Sequence, residues 1–103
     1  MPNDAPLPVE IVRDLLALAR ALYAVTSQER GTGQGERLLK LRGIGSQLTL
    51  AIEKAESSKP GTFAHKCAWL ICEDAIRDLG LVVGELPAAA LVSATGERLL
   101  KKR

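Results

Sequence analysis

Residues Glu36–Ser57 read ERLLKLRGIGSQLTLAIEKAES, and this stretch decides how the fold is interpreted. As a single helix it is about 33 Å long, at about 1.5 Å per residue. Gly43 and Gly45 argue against continuity, because each glycine inside a helix costs about 1 kcal/mol relative to alanine. Two interpretations stay open, one continuous helix or two short helices joined at residues 43–45. The apolar positions that keep one helical phase through the glycines are Leu41, Ile44, Leu48, Ile52 and Ala55.

The sequence on either side of this stretch has the periodicity of further helices. Two adjacent apolar stripes run along the first of them, which indicates that more than one neighbour covers it. Gly80 is a natural stop for the third, residues 81–83 are open to an extended conformation, and Pro87 opens a weaker fourth. The sequence predicts an all-α, up-down antiparallel four-helix bundle, with helices at about 9–28, 36–57, 63–79 and 88–101.

Composition limits the domain count and the class of site. The chain has 103 residues, enough for one domain, and residues 1–8 with their three prolines are predicted as an extended lead-in to a bundle spanning 9–103. The hydrophobic share is 47% but the aromatic share is only 3%, which favours close packing of aliphatic helices over an aromatic-lined ligand pocket. A net charge of +2 is too small to indicate a nucleic-acid or membrane partner by itself.

The cysteines and the apolar runs predict where the protein is found. Cys67 and Cys72 are five residues apart, which on one helix separates them by about 140° around the axis. They are expected to be small apolar fillers in a reducing compartment rather than a disulfide or a metal pair. No run approaches the roughly 18 apolar residues of a membrane span, and the N-terminus does not have the pattern of a signal peptide. We therefore expect a soluble, cytoplasmic protein with no membrane partner.

Residues 38–55 resemble the helix-hairpin-helix family of nucleic-acid-binding motifs, in which an apolar residue and one variable residue precede Gly-apolar-Gly. Leu41 and Gly43-Ile44-Gly45 match that pattern. The resemblance implies two short helices whose hairpin holds a DNA phosphate on the N–H groups at the start of the second, as helix N-termini bind anions generally. Basic side chains just upstream would add sequence-independent phosphate contacts. The residues implied in DNA binding are Arg37, Lys40, Arg42, Gly43, Ile44, Gly45, Ser46 and Gln47.

His65 is the only histidine of the chain. On a bundle helix, Ala64-His65-Lys66 resembles the histidine phosphotransfer domains, which carry one phosphorylatable histidine. The resemblance implies a phosphate-accepting role for His65. The alternative is a surface or edge histidine beside Lys66, and Trp69, one turn further on, would crowd the imidazole.

The sequence predicts a protein that is not an enzyme. It has no Ser-His-Asp order, zinc-ligand spacing or dinucleotide fingerprint, so no cofactor or metal is expected. The wide apolar faces of the first and third helices predict a protein-interaction or self-association module, most simply a two-fold homodimer, with another protein as a possible partner. DNA binding and phosphotransfer at His65 are the second and third hypotheses. The predicted interface residues are Leu15, Leu18, Leu22, Trp69 and Ile76.

Overall fold

The computed structural model describes residues 5–28 and 34–86, which form three α-helices. They are α1 (Val9–Gln28), α2 (Gln34–Glu56) and α3 (Phe63–Glu85). The all-α class is confirmed for these residues, but the four-helix prediction is wrong, because the architecture is a three-helix bundle. The predicted fourth helix, 88–101, lies outside the described residues. Within the described ranges no helix combines the length and the apolar character that crossing a membrane needs.

Helix α2 runs unbroken through Gly43 and Gly45. A Cβ added at Gly43 would meet nothing within 4 Å, and one added at Gly45 would meet only the Leu16 Cδ1 atom, at 3.8 Å. Close packing therefore does not require either glycine. The helix continues because Leu41 and Leu48, on the same phase, are almost fully buried. Burying one such side chain stabilises by about 1.5–3 kcal/mol, which outweighs about 1 kcal/mol for each glycine.

Helix α3 also runs past its predicted end at residue 79 and continues through Gly80. The predicted end of this helix is therefore wrong. Residues 81–83, for which the sequence also allows an extended conformation, are helical, and α3 ends at Glu85 with Leu86 as its C-cap. Leu79 and Val82 lie on either side of Gly80 and are both buried. Tertiary burial again outweighs the local preference of one glycine for ending a helix.

The three helices alternate in direction, with α2 in the middle. Gln34 Nε2 donates a hydrogen bond of 2.7 Å to the Thr26 carbonyl, which brings the end of α1 to the start of α2. Arg13 and Glu56 pair at 2.6 Å, and Lys40 and Glu85 lie 3.9 Å apart. These contacts join opposite ends of neighbouring helices, so each neighbouring pair is antiparallel. Helix α2 packs extensively against both α1 and α3, which make few contacts with each other.

The core of α2 and α3 follows an alternating spacing of three and four residues. This spacing places side chains along one seam of each helix, as in knobs-into-holes packing. Several seam residues are alanines on both helices, and small side chains let two helix axes approach closely. The buried seams are Leu41, Ile44, Leu48, Ala51 and Ala55 on α2, and His65, Ala68, Cys72, Ala75, Leu79 and Val82 on α3.

The residues just before α1, Ala5–Pro8, lie against α3 and are here called the N-terminal strap. Leu7 is 4% exposed and belongs to the hydrophobic core. Its N–H donates to His65 Nε2 at 2.9 Å, and Trp69 Nε1 donates to the Ala5 carbonyl at 2.8 Å. The predicted lead-in is therefore packed structure from Ala5 onward.

Alanine at Gly80 tests the corrected length of α3. Gly80 is an exposed helix-interior residue, with nothing within 4 Å of an added Cβ. We expect Gly80→Ala to raise the free energy of unfolding by about 0.5–1 kcal/mol, measured by urea denaturation.

Gly61→Ala is the contrasting variant, because Gly61 has φ +86°, where a side chain is strained. It should lower the free energy of unfolding by about 1 kcal/mol or more. A Gly80→Ala variant that is destabilised to the same extent would contradict a helix that continues through this position.

Candidate functional site

The His65 side chain is 3% exposed, at the start of α3. Its Nε2 accepts from the Leu7 N–H, so in the neutral ring the proton is on Nδ1. Nδ1 lies 3.2 Å from Ser58 Oγ, and Ser58 Oγ in turn donates to the Lys54 carbonyl at 2.5 Å. The donors and acceptors are consistent when Nδ1–H donates to Ser58. His65 therefore connects the N-terminal strap, the α2–α3 loop and the end of α2.

This arrangement favours a structural role for His65 over phosphotransfer. A phosphate-accepting imidazole must be open to a partner, whereas both ring nitrogens here have hydrogen-bond partners and the ring is buried. The alternative prediction, a surface or edge histidine, is also wrong, because His65 is buried. Phosphotransfer at His65 stays a prediction that the geometry does not support.

The predicted interface residues mostly cover the core instead of forming a free surface. Leu22 is fully buried, and Leu15, Leu18 and Trp69 are partly buried against the core. Only Ile76, with 44% of its surface exposed, is available to a partner. Self-association through these residues as one patch therefore has little exposed apolar surface to use.

The implied DNA-binding residues do not form one basic surface. Lys40 and Arg42 project about 160° apart around α2. Lys40 lies near Glu36 and Glu85, at 3.5 and 3.9 Å, while Arg42 is exposed on the other side. Residues 43–47 are in the middle of α2, where backbone N–H groups bond to carbonyls one turn earlier. Arg37 is partly buried. In this conformation α2 does not present the unpaired N–H groups that the helix-hairpin-helix resemblance requires, and DNA binding stays a prediction.

The side of α2 that points away from α1 and α3 is here called the outward face of α2. Leu39 is 71% exposed and Leu50 is 44% exposed, although both are large and apolar. Between them lie Gly43 and Ser46, which are also exposed. The spacings are four, three and four residues, which keep these side chains within about 60° around the helix. The outward face of α2 thus has the same spacing of three and four residues as the buried seam, lies on the opposite side of the helix and is left uncovered by the described residues.

Two grooves border the outward face of α2. The groove between α1 and α2 has a volume of about 640 Å³, and Tyr23, Arg20 and Glu53 line it with residues of the outward face. The groove between α2 and α3 has a volume of about 290 Å³, and it lies between Leu39 and Leu81. Tyr23 and Leu81 are themselves 38% and 65% exposed. The apolar surface therefore extends from α2 onto both neighbouring helices.

Sequence reasoning missed the outward face because it followed the core phase only. Leu39 and Leu50 are out of phase with Leu41 and Leu48 and were not assigned a role. The signal was present, since Leu39, Gly43, Ser46 and Leu50 repeat at the same spacing as the core. A second exposed apolar stripe, on α3, comprises Phe63, Leu70 and Leu81.

The remaining chemistry-bearing groups do not form a second site. Cys67 and Cys72 are free thiols, and burial, with a smaller contribution from the Glu73 charge, raises the pKa of the Cys72 thiol. Cys72 is therefore a protonated core residue and a poor nucleophile. Within residues 5–28 and 34–86, no group of three or more side chains could hold a metal ion.

No family model, curated protein or solved structure matches this chain. The exposure, shape and charge of the outward face of α2 are therefore the basis on which a function can be assigned.

Replacing His65 tests its role as the link to the N-terminal strap. We expect His65→Leu to lower the free energy of unfolding by about 1–3 kcal/mol, because the buried Leu7 N–H loses its acceptor. Amide hydrogen exchange should show lost protection at Leu7 in particular. The neighbouring exposed variant Ala64→Leu is the control and should change stability by less than about 0.5 kcal/mol. Equal effects of the two variants would contradict the role.

Salt-dependent binding tests the nucleic-acid hypothesis. In fluorescence anisotropy with a labelled duplex DNA, we expect little binding at about 50 mM salt, because the basic side chains do not share one face of α2. Tight binding that weakens steeply at about 200 mM salt would contradict this expectation and indicate several phosphate contacts. Gly43→Val would then test whether the hairpin resemblance describes the bound form.

Proposed function

We propose that this chain is a non-enzymatic protein-interaction module that binds a protein partner through the outward face of α2. The observation that carries the proposal is the exposure of Leu39 and Leu50 on either side of the open Gly43 and Ser46. A partner helix could lie in the depression between the two leucines, in contact with the backbone at Gly43. Binding would remove both leucines from water, which stabilises a complex by about 25 cal/mol for each Å² of apolar surface buried.

The glycines of α2 support this proposal by energetic argument. Gly43 costs the isolated helix about 1 kcal/mol, and no neighbour within the described structure lies where a side chain would be. A close-approaching partner supplies a physical reason for a glycine at this exposed position, because a larger side chain would hold that partner away. The bordering side chains Tyr23 and Arg20 belong to residue types enriched at interfaces.

The surroundings of the face are suited to a protein surface rather than a catalytic pocket. The groove between α1 and α2 carries both charge signs, from Arg20, Arg42 and Glu53, at its exposed edges. A polar rim around an apolar centre is the usual anatomy of a protein interface. The proposal includes a cytoplasmic setting, which the two free thiols support.

Site-specific photocrosslinking in the cells that express the protein tests the proposal. A benzophenone amino acid in place of Leu39 keeps a large apolar side chain at the end of the outward face, and one in place of the exposed loop residue Lys59 serves as the matched control. We expect a covalent protein adduct from the Leu39 position and none from Lys59, because only the first would be covered in the complex. Equal labelling at both positions, or no adduct at either, would reject the outward face as the binding surface.

A further inference from the structure

The outward face of α2 is symmetric in side-chain size. Along the helix it reads large, small, small, large, at Leu39, Gly43, Ser46 and Leu50. The midpoint falls between Ile44 and Gly45, and each leucine lies about 8 Å from it along the axis. A surface with this symmetry matches a second copy of itself when the two helices run antiparallel, because the leucines then lie beside leucines at both ends and the small residues face each other at the centre.

We propose that the chain forms a two-fold symmetric dimer in which the outward faces of two α2 helices pack antiparallel. This inference rests on the proposed function and names its partner as a second copy of the chain. Leu39 packs beside the partner's Leu50, and the symmetry repeats this contact at the other end. Gly43 and Ser46 lie at the centre, where their small size lets the two backbones approach. A two-fold interface of this kind uses the same patch on both subunits.

The charges beside the seam match the same arrangement. Glu36 and Lys54 are 18 residues apart, which is five full turns, so both project on the same flank of the outward face. Glu36 lies 8.5 residues before the midpoint and Lys54 lies 9.5 residues after it. In the antiparallel pair Glu36 therefore lies beside the partner's Lys54, within about one residue's rise, and two such ion pairs form. A parallel two-fold pair would instead place the two copies of each charge at one height on opposite flanks of the seam, and Glu36 would not meet the partner's Lys54.

The dimer is expected to be reversible and weak. One pair of helices with its bordering side chains covers less than the roughly 800 Å² per partner of a standard interface. On the other flank Arg42 comes near the partner's Arg42, and this like-charge contact opposes association. A dissociation constant in the range of about 1–100 µM is consistent with both features.

Sedimentation equilibrium of the purified full chain is the main test. The wild type should be a monomer–dimer mixture at concentrations of about 10–500 µM. Gly43→Leu should weaken the dimer at least tenfold, because the new side chain separates the helices at the centre of the seam. Gly80→Leu is the matched control, an exposed helical glycine with equal free space on α3, and should dimerise like the wild type.

Charge reversal separates a direct contact from a general effect of the mutation. Glu36→Lys and Lys54→Glu should each weaken the dimer about threefold to tenfold, and the double variant should regain most of the affinity. The change at Glu36 also disturbs its contact with Lys40, at 3.5 Å in the same chain. Lys54 is about 21 Å from Lys40 along the helix, so rescue by Lys54→Glu reports on the partner.

Disulfide formation tests whether the two α2 helices of the dimer are antiparallel. Mixing Leu39→Cys chains with Leu50→Cys chains under mild oxidation should give a disulfide between the two substituted positions, identified by mass spectrometry. Either variant alone should give little disulfide between two copies at its substituted position. A parallel dimer would instead crosslink each variant to itself and give little of the mixed disulfide.

A wild type that stays monomeric at about 500 µM would overturn the dimer, as would a Gly43→Leu variant that associates normally. If an adduct with a different protein still formed from the Leu39 position in cells, the interaction module would stand and only its partner would be wrong. If neither association nor adduct were found, both proposals would fail.

Discussion

The rest of the structure depends on α2 having two sides to bury. Helices α1 and α3 have little contact with each other, so each is held in place mainly by its seam with α2. This explains why α2 stays helical through Gly43 and Gly45, since a break there would separate Leu41 from Leu48 and disrupt both packing surfaces at once. The same constraint leaves the third side of α2 uncovered within the described structure. The packing of α1 and α3 on two sides of α2 therefore both stabilises this helix and determines which side of it stays exposed.

If the outward face of α2 binds a partner, as proposed, folding and binding use different sides of this helix. Leu41, Ile44 and Leu48 are buried and hold the bundle together. Leu39 and Leu50 are exposed and contribute little to that core. Changes on the outward face are therefore expected to leave the fold intact while they alter the proposed binding surface. Because the side chains of the proposed binding surface are on a helix fixed by two neighbours, docking of a partner would cost little conformational entropy.

The elements that could be predicted from the sequence are those whose apolar period is long and uninterrupted. The bounds of α1 agree with the structure, and the phase through Leu41, Ile44 and Leu48 correctly indicated continuity of α2. The sequence predicts an end of α3 at Gly80 because glycine is a local stop signal, but the burial of Leu79 and Val82 outweighs that signal. The four-helix prediction was wrong for the related reason that helix periodicity identifies segments, not how many of them pack in one bundle.

The candidate site was harder to predict than the helices. The sequence shows that Leu39 and Leu50 are apolar, but only the packing of α2 shows that they point outward. The position of His65 depends on contacts with Leu7 and Ser58, 58 and 7 residues away along the chain. Local patterns do not encode such contacts. For that reason the motif resemblances around His65 and Gly43 lead only to hypotheses about chemistry. The structure adds that His65 is buried and that Gly43 lies inside a continuous helix.

The N-terminal strap has a consequence for the order in which the chain folds. Its hydrogen bonds from Leu7 to His65 and from Trp69 to Ala5 join residues 58 and 64 positions apart. Closing a loop of that length has a large entropic cost unless the intervening helices have already formed the hairpins that bring the ends together. We therefore expect the strap to dock late in folding, after α3 has packed on α2. Since it is short and joined to α3 by few hydrogen bonds, we expect it to detach in the native ensemble more readily than the helices, and each such opening would expose His65 to water.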